Sequence, residues 1–154
     1  NFDNIRELVS PGEIEDLVGR GALNQDVVDF RAIAANVDPQ QAVGVVSWLG
    51  IVFSQRADGG QITVAVIEYA NAADAAARYD EVRFESGMGE SRDSIGERSA
   101  SLAVDGAGLG SVVIFLKSNK AILLTTATAL TDPVPLVDID GLREIARIAA
   151  ARLR

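Results

Sequence analysis

The sequence has neither cysteine nor histidine in 154 residues. Without them there is no Ser-His-Asp triad, no Cys-His pair and no zinc site of the usual nitrogen and sulfur ligands. General acid–base work would fall to Asp, Glu, Lys or Tyr with shifted pKa values, which excludes most common hydrolase mechanisms. The missing cysteines leave the redox compartment open, because a core of this size is stable without a disulfide. Positive charge is also short: 14 Lys and Arg stand against 22 Asp and Glu, a net charge of −8, with a pI near 4.5. Nucleic acid requires a basic footprint and an anionic membrane surface a polybasic segment, and the chain offers neither. No apolar stretch approaches the roughly 20 uninterrupted residues of a spanning helix. The chain begins at Asn1 and not at Met, as a trimmed or processed chain does. A signal peptide or lipid anchor could stand upstream, so its absence does not argue for the cytoplasm.

What is there is a pattern stated twice. Residues 61–70 (QITVAVIEYA) read as a strand that runs straight into an alanine-rich helix over 71–84. Residues 111–130 read as a strand hairpin, followed after a Pro-containing loop by a second alanine-rich helix over 141–154. Two strand–strand–helix units predict one α+β domain spanning residues 1–154, with a mainly antiparallel sheet of about five or six strands. A chain of this length buries roughly 68–70% of its unfolded surface. A short N-terminal helix should begin at Ser10-Pro11-Gly12-Glu13, where a Ser cap, a Pro in the first turn and a Glu three residues on form a capping box, and Gly19 should stop it. Residues 26–37 fit both helical and alternating spacing, and the balance tips to an extended segment. One turn at Pro39 and a strand from Val45 to Ser54 should follow, with a hairpin turn at residues 56–60. Asn71 is placed to cap the first alanine-rich helix, and Asp138 or Asp140 the last.

The strands are apolar on both sides, as in Ile62, Val64 and Val66 against Ala65, Ile67 and Tyr69. A half-solvated antiparallel sheet alternates apolar with polar, so both faces here should be covered. Helices, a second subunit in a homodimer, or a ligand pocket could supply the cover. Trp48, Phe53 and Tyr69 are candidate linings for a pocket, with Met88 and Arg92 of the polar loop 85–97 at its mouth. The same loop crowds Glu85, Glu90, Asp93 and Glu97, a set better read as solvated charge than as an acid–base pair. Gly106-Ala107-Gly108-Leu109-Gly110 opens a strand and not a helix, so it reads as a hairpin loop and not as a dinucleotide cradle. Asp138-Ile139-Asp140-Gly141, with Asp132, lacks the remaining donors of a calcium loop. No catalytic residue, metal ligand or cofactor is expected from these motifs.

The junction Val66-Ile67-Glu68-Tyr69-Ala70-Asn71-Ala72-Ala73-Asp74-Ala75-Ala76-Ala77-Arg78-Tyr79 resembles that of many small bacterial extracytoplasmic proteins of lipoprotein type. Ile95-Gly96-Glu97, the hairpin residues 112–124 and the closing alanine-rich helix resemble them too. Some of those proteins have a PsbP/Mog1-like α/β/α sandwich. The resemblance implies an exported, secreted or lipid-anchored, binding or accessory domain and carries over no catalytic residues. The first expectation is therefore a non-enzymatic extracytoplasmic domain that binds a small apolar ligand or a protein partner. A dimeric α+β-barrel enzyme acting on an apolar small molecule is the alternative, with Tyr69, Glu68 or Arg31 moving the proton. A structural oligomerisation module is the third. A carboxylate buried inside a cavity would favour the enzyme, and Glu68 is the polar residue whose alternation places it on an apolar face.

Overall fold

A computed structural model describes residues 4–19, 23–55, 59–104, 108–129 and 134–153. Its elements are α1 (Pro11–Val18), β1 (Asn24–Asp29), α2 (Phe30–Val37), β2 (Val45–Ser54), β3 (Gln61–Tyr69), α3 (Ala72–Ser86), β4 (Arg98–Leu102), β5 (Gly108–Lys117), β6 (Lys120–Thr128) and α4 (Ile139–Arg152). Short 3-10 turns precede α1 at Ile5–Glu7 and β2 at Pro39–Ala42. The six strands form one antiparallel sheet in the order β1-β2-β3-β6-β5-β4.

Local chemistry sets most boundaries. Ser10 accepts from the Glu13 backbone N–H at 3.3 Å while Glu13 Oε1 accepts from Ser10 N–H at 3.1 Å, closing the expected capping box. Gly19 ends α1 in the left-handed region at φ 73°. Asn71 accepts from Asp74 N–H at 2.8 Å to start α3, and Asp138 accepts from Gly141 N–H at 2.8 Å to start α4. Residues 26–37 correct the sequence expectation: only residues 26–29 are extended. Asp29 accepts from Ala32 N–H at 3.2 Å and turns the chain into α2. Residues 56–58 of the expected turn, residues 106 and 107 of the glycine loop, and Asp132 lie outside the described residues, while residues 108–110 already belong to β5.

Helices cover both faces of the sheet. On the first face, α4 buries Leu142, Ile145, Ala146 and Ala149 against Val64, Val66, Phe115, Ile122 and Leu124. Ile14 of α1, with Ile5 and Leu8, extends the same core. On the second face, Ala75 and Tyr79 of α3 pack on Ile67, Tyr69, Ile114 and Leu116. There α2 lies beside β2, held by Arg31 Nε donating to the Val45 carbonyl at 3.0 Å. Four α-helices among the described residues thus do the work for which three had been expected. No described helix is long and apolar enough to cross a membrane.

Candidate functional site

Strand alternation divides the aromatic candidates. Trp48 pairs with Ile67 and Phe53 with Ile62, so an odd separation along β2 sends the two rings to opposite faces. Phe53 is fully buried in the core beneath α4. Trp48 stands half-buried on the second face. The two do not share a wall.

Around Trp48 the second face is not completely covered. A cleft of about 260 Å³ opens there, lined by Phe30, Trp48, Thr63, Ala65, Leu123 and Thr125. Its floor comes from the sheet, where Ala65 pairs with Leu123 and Thr63 with Thr125 across β3 and β6. Its side is the first turn of α2: the Phe30 and Trp48 rings lie 5.8 Å apart, tilted by 36°. Gly50 makes that arrangement possible. A Cβ there would stand 2.2 Å from Phe30 Cε2, so only a glycine lets the ring lie on the strand. The lining is mostly hydrocarbon, with two threonine hydroxyls as polar handles. Such a site fits an apolar molecule fixed in orientation by one or two hydrogen bonds.

The remaining sequence candidates are elsewhere. Met88 is buried under α3 in the second-face core, following the end of that helix. Arg92 is exposed on the loop between α3 and β4. Tyr69 is on the second face but at the other end, where it lines a separate polar cavity. Glu85 belongs to the last turn of α3, while Glu90 ties to Arg98 Nε at 2.6 Å and Asp93 to Arg147 at 3.0 Å. This loop therefore braces β4 and α4 and does not border the apolar cleft.

Glu68 is buried, 5% exposed, on the first face, where its carboxylate meets Lys120 Nζ at 3.5 Å. The two are direct cross-strand partners. Burial of the carboxylate was the sign sought for proton-transfer chemistry, but Glu68 faces Lys120 and is not part of the cleft wall. Tyr69 lies on the opposite side of the same strand, and Arg31 is engaged with the Val45 carbonyl. The three do not converge on one point. No cluster of three or more Asp or Glu side chains close enough to hold a metal ion occurs among the described residues.

Phe30, Thr63, Ala65, Leu123 and Thr125 were missed from the sequence. The available signal was Gly50: a glycine inside a β-branched strand marks a place where another group comes close.

No protein-family model matches the chain, and no curated protein does. Among solved structures, the fold is similar to the crystal structure of the extracellular domain of PknH from Mycobacterium tuberculosis, with a TM-score of 0.67 and 13% identity over 98% of this chain and 96% of that one.

Proposed function

We propose that this chain is a non-enzymatic extracytoplasmic binding domain that holds a small, mainly apolar molecule in the cleft beside Trp48. The observation that carries this reading is the apolar cleft itself, left open beside Phe30 and Trp48 on the sheet face that α3 covers further along. The fold shared with an extracellular domain supports the compartment. A molecule entering the cleft would replace water over Ala65 and Leu123, a gain of about 25 cal/mol for each Å² of apolar surface covered.

Trp48 is the single tryptophan and reports on its own site. Titration with a neutral naphthylamine probe should shift its emission to the blue and saturate. Thr125→Phe, which fills the cleft from a half-buried strand position, should abolish the response. Emission indifferent to apolar probes of every size tried would sink the reading.

A second reading is favoured by Ile33 and Val37, one turn apart on α2 and both exposed, with exposed Val43 just beyond. These could meet a protein partner or a second copy of the chain. Native mass spectrometry separates the two: a dimer without added mass favours the interface, and a monomer with a reproducible extra mass favours the cleft.

A further inference from the structure

The open surface does not end where the apolar lining of the cleft ends. A second depression of about 410 Å³ adjoins it, lined by Asn24, Gln25, Asp26, Val52, Ser54 and Gln61. Strand register sets the two side by side. Val52 pairs with Thr63 of the cleft and with Asp26, and Ser54 pairs with both Asn24 and Gln61. Directly opposed strand residues stand about 5 Å apart, so the depressions meet between Val52 and Thr63. Val52 and Ser54 have the parity of Trp48 along β2, which puts them on the same face. That face is open here: Val52, Gln61, Thr63 and Thr125 are half-buried, whereas Ile51, Ile62, Val64 and Leu124 on the reverse are fully buried.

The chemistry of the groove changes along its length. Beside Trp48 the walls are hydrocarbon, with the hydroxyls of Thr63 and Thr125. Two residues along β3, about 7 Å away, the lining becomes carboxamide, hydroxyl and carboxylate at Asn24, Asp26, Ser54 and Gln61. Among the described residues that line either part, none is a lysine or arginine. A carboxamide carries donor and acceptor in one plane, so Asn24 and Gln61 can each bridge two neighbouring hydroxyls.

Resting on the reading of the cleft as a binding site, we propose that its occupant is a neutral glycoside. The apolar aglycone lies over Ala65 and Leu123, and the sugar ring lies on the polar part of the groove, where its hydroxyls bond to Asn24, Asp26, Ser54 and Gln61. A sugar hydroxyl both donates and accepts, so it pairs with amide, hydroxyl and carboxylate alike. A fatty acid would bring an anionic head to a place that offers a carboxylate and no cation. A quaternary ammonium amphiphile would meet Asp26 but cover the carboxamides without pairing them, which costs free energy.

Three amphiphiles with the same eight-carbon chain test the head group: octyl β-D-glucopyranoside, octanoate and octyltrimethylammonium. Each is titrated below its micelle concentration and followed by Trp48 emission, beside the naphthylamine probe. The glucoside should saturate and bind at least tenfold more tightly than either ion. Gln61→Ala and Asn24→Ala should each weaken it at least fivefold and leave the naphthylamine unchanged. Asp26→Asn, at an exposed position of an edge strand, should fold normally; it removes charge but keeps hydrogen bonding, and should alter glucoside binding less than twofold. Melting curves identify any alanine variant that fails to fold. If the naphthylamine saturates but all three octyl compounds bind alike, the cleft stands and the sugar site falls. Tightest binding of octyltrimethylammonium, lost in Asp26→Asn, would also overturn the glycoside. Silence of Trp48 toward the naphthylamine as well would remove the cleft itself.

Discussion

At the scale of single residues, Tyr79 is the clearest misfit. Its ring, on the buried side of α3, is fully buried, and its hydroxyl has no hydrogen-bond partner among the described residues. Burial is the main reason its pKa is pushed up to about 12. The Arg98 guanidinium stands 4.7 Å from the ring centroid, an attraction that a phenylalanine would keep. Removing an unsatisfied buried hydroxyl while preserving shape is neutral or stabilising. Tyr79→Phe should therefore change the urea midpoint by no more than about 1 kcal/mol equivalent, in the stabilising direction. A clear loss of stability would show that the hydroxyl is satisfied after all. The sequence could show that Tyr79 points inward, from its spacing with Ala75 and Ala76, but not that its oxygen would find nothing to bond. The pocket residues were obscure for a related reason. Trp48 and Phe53 both read as aromatic strand positions, and only their parity tells that one faces α4 and the other the cleft.

Whole elements were more legible than side-chain neighbourhoods, because caps and periodicity are local. Ser10, Asn71 and Asp138 each carry out the capping expected of them. Residues 26–37 were harder, since a strand and a helix meet there without a glycine or proline between them. What no local rule reveals is how α1 attaches to α4. Arg152 donates to Glu13 Oε1 at 2.6 Å and to Oε2 at 2.8 Å, and also to the Leu8 carbonyl at 3.0 Å. The hydrogen bond from Arg152 is the main force holding the Glu13 carboxyl at about 2, below its ordinary 4.5. A group depressed in the folded state stabilises fully above its unfolded pKa and loses that contribution as pH falls through the folded value. Wild type should thus melt a few degrees above Glu13→Gln at neutral pH, and the gap should close between about pH 5 and pH 2. Partial exposure keeps the effect modest and sensitive to salt. Parallel melting curves at every pH would show that the pair contributes nothing.

Across the whole molecule, the repeated strand–strand–helix unit is not repeated in space. Only Ala70 and Asn71 separate β3 from α3, which stays on the second face, whereas ten residues separate β6 from α4, which crosses to the first. The doubled pattern was visible in the sequence; the choice of face was not, because it depends on how far each connection can reach. That asymmetry is how two similar helices cover both sides of one sheet and why its strands are apolar on both. It also makes β3 and β6 the best protected elements, the two central strands, paired on either side, lying beneath α4 on the first face and beneath α3 on the second except at the cleft. Amide hydrogen exchange should be slowest in β3 and β6 and fastest, among the strands, in β1 and β4. Comparable protection in β1 would contradict this ordering of the sheet.

The two outer strands have one further consequence. An unpaired strand edge is a template on which another chain can polymerise. In this sheet the edges are closed to such growth by different means. β1 carries Asp26 and Asp29 within six residues, so a copy arriving in register would set carboxylates near carboxylates. β4 has five residues, and the loop before it occupies its free side: Ser91 N–H donates to the Ser99 carbonyl at 2.8 Å and Glu90 bridges to Ala100. The loop that looked from the sequence like the mouth of a pocket acts instead as a selvedge, the finished border that keeps this sheet from fibrillising.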